Sequence, residues 1–192
     1  MIDPMIARRI ALVAFDVDGT LTDNGVYIGD SADVTMSEER IELKRFDIQD
    51  GLGIVMLRRA HIGVAFISAR QSPATSLRAK ELGVVHVRQG KGLRKVPTLR
   101  ELSRQMGVGF EQIAFMGDDL ADIAVMQQVA LAVAPQNAVA EVKAVANIVL
   151  SRPGGRGAAR EFIEMLLLAR GEWNNLVADY VAESSRDPVL LA

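Results

Sequence analysis

The chain has 192 residues, 49% of them hydrophobic, which suffices for one well-filled core but not for two independent ones. A net charge of −2 and a pI near 5.7, with basic residues scattered rather than gathered in runs, give no long-range attraction for nucleic acid. The lack of cysteine excludes a disulfide framework, thiol catalysis and thiolate metal sites, and two histidines are too few for a histidine-rich site. No apolar run is long enough to span a bilayer and MIDPMIARRI does not read as a leader, so a soluble cytoplasmic domain with no membrane or nucleic-acid partner is expected.

The apolar run Ile10 to Phe15 reads as a buried strand that delivers Asp16 and Asp18 onto a Gly19-Thr20 turn. Alternation along an extended chain puts both carboxylates on one side, where they repel unless a cation neutralises them or one holds a proton. A hard divalent ion such as Mg²⁺ fits that pair, because it takes carboxylates, phosphate oxygens and waters; a strand end capped by turn-forming Asp and Gly is the competing reading. Gly25 to Gly29 and Ile41 to Ile48 read as the two arms of a hairpin flap with a long connection. Gly51 to His61 has helical spacing, and Gly63 to Ser68 is an apolar strand. Ser72 to Leu82 has a Ser N-cap, a Pro at the first helical position and Gly83 as a stop. VVHV (84 to 87) is the next strand. Lys95 to Met106 is helical with Pro97 in its first turn, IAFMGD (113 to 118) a strand, and Asp119 to Val129 a helix. LAVA (131 to 134) and NIVL (147 to 150) are strands flanking a helix at Ala138 to Ala146, and Gly157 to Arg170 is the closing amphipathic helix.

Strands alternating with helices at this spacing predict a Rossmann-like three-layer α/β/α fold, with a mainly parallel sheet, a β-hairpin flap after the first strand and no large cap domain. One domain over 1–172 is expected, with the flap at about 25–48 and a C-terminal tail over 173–192. Right-handed crossovers align the C-terminal ends of the strands along one edge, where ligands bind in open sheets. Asp16, Ser68 and Asp118 each close a predicted strand, so they converge on one crevice.

DVDGTLTD (16 to 23) after an apolar strand resembles the first motif of the haloacid dehalogenase superfamily of phosphohydrolases, and ISAR (67 to 70), Lys95 and GDDLAD (117 to 122) extend the resemblance along nearly the whole chain. VYIGD, DIQDGLGI and GGRGAAREF are similar to segments of the small cap-less phosphatases that act on 8- or 9-carbon sugar acid phosphates. The resemblance implies Mg²⁺-dependent hydrolysis of a phosphomonoester through an aspartyl phosphate. It makes 3-deoxy-D-manno-octulosonate 8-phosphate the leading substrate and a nonulosonate 9-phosphate or another small sugar phosphate the alternative. It assigns the nucleophile to Asp16, general acid/base work to Asp18, phosphate binding to Ser68, and to Lys95 the cation that holds nucleophile and phosphate. The implied metal ligands are Asp16, the backbone carbonyl of Asp18, and Asp118. Asp119 and Asp122 stay open between orienting waters or the loop and serving as helix N-terminal acids.

Implied substrate contacts are Asp18, Lys95, the segment Asp47, Ile48, Gln49, Asp50 and Gly51, and Arg70, Arg78 and Arg156. The family often carries Arg where this chain has Gln49 and Val55, which removes two guanidinium groups suited to carboxylate or phosphate, and its flap is shorter by the segment around Asp33 to Glu39. Without a cap some other surface must exclude water. Neither the flap nor GGRGA obviously folds back over its own site, and the resemblance implies a homotetramer in which Arg156 completes a neighbour's site. A non-catalytic binding or regulatory module on the same fold is the reading from another class; the full set Asp16, Asp18, Ser68, Lys95 and Asp118 speaks against it.

Overall fold

All four residues of Leu12–Phe15 (β1) are buried, so this strand needs an apolar layer on both faces. Alternation divides it: Val13 and Phe15 join one hydrophobic cluster, Leu12 and Ala14 the other. The computed structural model describes residues 1–30 and 40–185. Tyr27–Asp30 (β2) and Arg40–Leu43 (β3) pair antiparallel as a separate hairpin, the expected flap; its lengthened part, 33 to 39, lies outside the described residues. The main sheet is parallel throughout. From β1 the chain fills one side with Gly63–Ser68 (β4) and His86–Gln89 (β5). It then returns to the other side of β1 for Ile113–Met116 (β6), Leu131–Ala134 (β7) and Ile148–Val149 (β8). Phe15 is level with Phe66 of β4 and Met116 of β6, so the chain leaves all three strands at one edge, beside the point where strand order reverses.

The helices are Pro4–Arg9 (α1), Ile48–Arg59 (α2), Pro73–Glu81 (α3), Lys95–Met106 (α4), Leu120–Met126 (α5), Ala140–Val145 (α6), Ala158–Arg170 (α7) and Trp173–Ser184 (α8). On one face α1, α2, α3 and α7 surround Phe15, Phe66 and Phe162, the first two rings meeting edge to face at 6.4 Å. On the other, α4, α5 and α6 cover Leu99, Leu102 and Phe115. The three-layer architecture expected from the sequence is the one observed, without a large cap. None of the helices among the described residues is long and apolar enough to cross a membrane.

Local differences have local causes. The expected strand at 84 to 87 begins two residues later, because Val84 N donates to Ala79 O and so belongs to the turn that ends α3. The N-terminal segment contains α1, with Asp3 as its N-cap and Pro4 in its first turn, and Arg170 of α7 donates to the carbonyls of Ala7 and Ile10 at its end. Where a tail was expected from residue 173, Trp173–Ser184 is helical; Trp173 stacks under the Arg160 guanidinium at 4.9 Å and Arg59 pairs with Glu183 at 2.7 Å.

Asp50, in the first turn of α2, accepts from Gly157 N at 3.2 Å and Arg160 N at 2.8 Å, which fixes α2 to the start of α7. It is buried, so both donors lose their partner if it is truncated. Asp50→Ala is expected to lower unfolding free energy by about 1–3 kcal/mol; urea denaturation with a wild-type midpoint would contradict this.

Candidate active site

β1 ends at Phe15 and hands Asp16 to the crevice; β6 hands over Asp118 two residues after Met116; α4 begins at Lys95. These side chains are buried together. Lys95 Nζ donates to Asp16 Oδ1 at 2.5 Å and also contacts Asp122 Oδ1. Asp122 Oδ2 accepts from the backbone amides of Asp118, at 3.2 Å, and Asp119, at 3.3 Å. Thr20 Oγ1 donates to Asp118 Oδ1 at 2.9 Å. Asp119 itself is exposed, and its carboxylate caps α5 through Leu120 N. The open question between the two acids therefore resolves differently for each: Asp119 is a helix cap, whereas Asp122 anchors both the lysine and the loop that carries Asp118.

Oxygens of Asp16, Asp118 and Asp122 lie within 4.8 Å of one another around a single ammonium. Burial pushes the Asp16 carboxyl well above its ordinary value; Lys95 opposes this, and Asp122 and Asp118 add repulsion. Asp118 is pushed up to about 6, first by burial and then by Asp122 and Asp119, against the Thr20 hydroxyl and Lys95. Burial alone would lower Lys95, but Asp16 and Asp122 outweigh it and raise it. Three carboxylates against one ammonium leave an excess of negative charge in a low-dielectric site, and an all-oxygen donor set of this kind fits a hard divalent cation.

The carboxylate of Asp18 is not in that cluster. The extended backbone stops at Phe15, so simple alternation does not reach residue 18, and Asp18 faces the flap instead. Lys44 Nζ lies 2.6 Å from Asp18 Oδ1, Ser68 Oγ donates to Oδ2 at 3.3 Å, and Arg70 Nε is 3.9 Å from Oδ2. Lys44 was not singled out in the sequence; its one signal is the alternation Ile41, Glu42, Leu43, Lys44, which reads equally as a solvated strand face.

The expected substrate contacts divide into two groups. Ile48 and Gln49 are exposed at the start of α2, and Arg70 is about half exposed beside Asp18. The others are engaged in structure. Asp47 caps α2 through Gln49 N at 2.7 Å, Asp50 holds α7, and Gly51 lies so close to Arg78 that a Cβ would strike its guanidinium. Arg78 donates to Asp47 O at 3.0 Å and pairs with Glu81 at 2.9 Å. Arg156 is exposed and lies 3.5 Å from Asp23.

The GGRG turn packs onto the loop that follows β1 in its own chain. Gly155 N donates to Thr20 O, Gly154 N donates to Asn137 Oδ1, and Asn137 Nδ2 donates to Gly19 O at 2.9 Å. Side chains at 154 and 155 would collide with the backbone of Gly19 and Thr22, and Gly155 has a φ of +61°. The glycines are there for this close approach, which sequence spacing cannot display.

With no cation bound, Asp118 titrates near 6 in the folded chain against an ordinary 3.8. The folded state then holds more protons across that interval, so this group's contribution to stability falls as pH rises through it. A divalent cation competes with those protons. The rise in Tm on adding Mg²⁺ is therefore expected to be larger near about pH 7.5 than near about pH 5, and smaller in Asp118→Asn. A pH-independent rise measured by calorimetry would contradict this account.

Comparison with known proteins accords with this geometry. A family model described as haloacid dehalogenase-like hydrolase matches residues 88–161. The 3-deoxy-D-manno-octulosonate 8-phosphate phosphatase of Salmonella typhi is 37% identical over 166 residues, covering 86% of this chain and 84% of that protein. The crystal structure of the phosphatase of the same name from Moraxella catarrhalis, in complex with magnesium, phosphate and KDO, superposes with a TM-score of 0.83 at 32% identity, covering 92% of this chain and 97% of that one. The Yersinia pestis counterpart gives a TM-score of 0.80 at 36% identity over 89% of this chain and 88% of its own. With relatives this similar over most of both chains, and with the Asp16, Ser68, Lys95 and Asp118 motifs on four elements of one crevice, this protein belongs to the haloacid dehalogenase-like hydrolases, in the family of the cap-less phosphatases.

Proposed function

We propose that this protein hydrolyses 3-deoxy-D-manno-octulosonate 8-phosphate to the free sugar acid and phosphate, by way of an aspartyl phosphate on Asp16. The observation that carries the reading is the buried contact of Lys95 with Asp16 beside Asp118. It holds one oxygen of a carboxylate in a site that gathers positive charge for a phosphoryl group. An Asp16 oxygen attacks phosphorus, and the bond from phosphorus to the sugar oxygen breaks. Asp18, two residues on, gives its proton to that oxygen and then takes one from the water that attacks the phosphoryl aspartate, which frees phosphate and restores Asp16. Ser68 and Lys95 hold phosphoryl oxygens, and Asp122 holds Lys95. Asp16, the Asp18 carbonyl and Asp118 are the proposed Mg²⁺ ligands; Mg²⁺ bound there supplies positive charge that offsets carboxylate repulsion and favours a phosphate.

The 9-phosphate alternative rested on Gln49 and Val55. Val55 packs against the apolar core rather than standing on the rim, and Gln49 lies 3.5 Å from the Arg152 guanidinium, which restores a cation near that position. The similarity to the named octulosonate phosphatases favours the octulosonate ester. Arg70 and Arg156, with exposed guanidinium groups, are the proposed contacts for the sugar acid, with Ile48 and Gln49 beside them.

A homotetramer with sites completed between subunits is also proposed, in the cytoplasm. The flap supports it: Tyr27 and Ile28 on β2 and Leu43 on β3 expose apolar side chains on a two-stranded hairpin, an element that seldom stands alone in water.

Asp18→Asn is expected to lower kcat by about 10²–10⁴-fold with little change in fold, read in a Mg²⁺-dependent phosphate-release assay; near-normal turnover would refute the acid/base assignment. Sedimentation is expected to give about four times the chain mass of 20.8 kDa. Arg156→Ala is expected to impair the sugar phosphate more than p-nitrophenyl phosphate. A fully active monomer at assay concentration would rule the assembly out.

A further inference from the structure

Among the described residues, the buried side-chain atoms without an aligned hydrogen-bond partner are Asp18 Oδ1, Glu42 Oε1, Lys44 Nζ, Ser72 Oγ and Thr75 Oγ1. Asp18, Glu42, Lys44 and Ser72 meet in a seam where the stem of the flap passes the start of α3, and Thr75 follows Ser72 by one turn of that helix. Lys44 Nζ lies 2.6 Å from Asp18 Oδ1 and 3.6 Å from Glu42 Oε1, and its side chain is wholly covered. Ser72 stands beside Glu42: burial pushes that carboxyl up, but the Ser72 hydroxyl, Arg70 and Lys44 together hold it below its ordinary value. Thr75 and Arg78 follow Ser72 at three-residue spacing on α3, and Arg78 meets Phe46 and Asp47, so this helix face runs along residues 42–47.

Native interiors leave few buried polar atoms without a well-aligned hydrogen bond; here Lys44 and the two acids are charge-paired without one, so the cluster keeps hydrogen-bonding capacity for a ligand. These five mix both kinds of hydrogen-bond capacity. Lys44, Ser72 and Thr75 donate, whereas the Glu42 carboxylate and the Oδ1 atom of Asp18 accept. A carboxylate or phosphate would satisfy the donors and be repelled by the two acids; an aromatic group would satisfy neither. A hydroxylated carbon chain donates and accepts at every carbon. The seam also opens on the carboxylate proposed to protonate the leaving oxygen, so it lies where the first carbons of a leaving group would pass. Arg70 covers it, 2.9 Å from Glu42 and with its side chain 48% exposed. A half-exposed pair of this kind is weak and exchangeable.

We infer that Glu42, Lys44 and Ser72, with Thr75 behind them, form a hydroxyl-reading subsite for the leaving group, in which the ligand replaces Arg70 on Glu42 and polyhydroxylated phosphomonoesters are selected over aromatic ones. The inference rests on the proposed phosphatase reading, with Asp18 at the leaving oxygen. Ser72 and Glu42 touch neither the phosphoryl group nor the nucleophile in this arrangement, so their effect falls on selectivity.

The test compares wild type, Glu42→Gln and Ser72→Ala on 3-deoxy-D-manno-octulosonate 8-phosphate, D-glucose 6-phosphate and p-nitrophenyl phosphate, with thermal melts and sedimentation. Wild type is expected to prefer at least one sugar ester. Glu42→Gln is expected to reduce that preference, as a ratio of kcat/KM values, by about tenfold or more, and Ser72→Ala by a smaller factor carried mainly by KM. A thermal melt separates two roles for the Ser72 hydroxyl: an unchanged Tm of Ser72→Ala with a shifted ratio is expected, whereas a lowered Tm with equal losses on all three esters marks a structural hydroxyl. Equal losses on sugar and aryl esters, an unshifted ratio, or a changed mass with unshifted selectivity would each overturn the subsite, the last by giving the seam to a second copy of the chain. A wild type inactive on all three esters would remove the phosphatase reading and this inference together, whereas an active wild type with no preference for a sugar ester removes the inference alone.

Discussion

The crevice depends on one buried ammonium. Lys95 opens α4 and reaches Asp16 after β1 and Asp122 on α5, so three elements far apart in sequence meet at a single charge. The far oxygen of Asp122 accepts from the amides of Asp118 and Asp119, which carries the constraint on to the loop after β6. Removing one partner of a buried charge pair costs about 3–5 kcal/mol, because the other is left uncompensated. The same contact that organises the site thus also closes the sheet edge. Its excess of negative charge is what a bound cation would offset.

A second constraint is the approach of two backbones. The Gly19 to Asp23 loop lies under the GGRG turn, joined through Asn137 and the Gly155 amide, and Arg45 from the flap stem donates to Gly155 O at 2.5 Å. The loop after β1, the flap stem and the start of α7 are therefore one unit. Asp50 fastens its far side to α2. Residues that resemble substrate contacts in sequence, Asp50 and Arg78 above all, are spent on holding this unit in register. A polar side chain near a site is as easily a brace as a contact, and only its hydrogen-bond partners tell the two apart.

The architecture was legible because its signals are local and periodic. The six parallel strands, the flap and the Lys95–Met106 helix follow from apolar runs, β-branched residues and caps, and the convergence of Asp16, Ser68 and Asp118 follows from topology alone. Contacts that join distant segments through side-chain reach were not legible. Lys44 on Asp18, Asn137 between Gly19 and Gly154, and Asp122 on Lys95 each span many residues, and no periodicity encodes them. Alternation misplaced Asp18, since it holds only while the backbone stays extended, and β1 ends at Phe15. The helix at Trp173–Ser184 was missed for a similar reason: what seats it is a ring under Arg160 and an ion pair with Arg59, both supplied by other helices.

A phosphatase without a cap must still keep water from its phosphoryl aspartate and discriminate among esters. Here the stem of the flap places a covered lysine against Asp18 and a carboxylate against Arg70. Selection by such a stem would be economical, because the groups that close over the proposed acid/base residue are the ones proposed to read what leaves it. The exposed apolar residues of the hairpin, Tyr27, Ile28 and Leu43, then need not touch substrate at all. In the proposed assembly their physical role is to find a surface that fixes the hairpin. A hairpin fixed in that way would hold Lys44 beside Asp18, so the proposed assembly and the proposed selectivity would act through the same short segment.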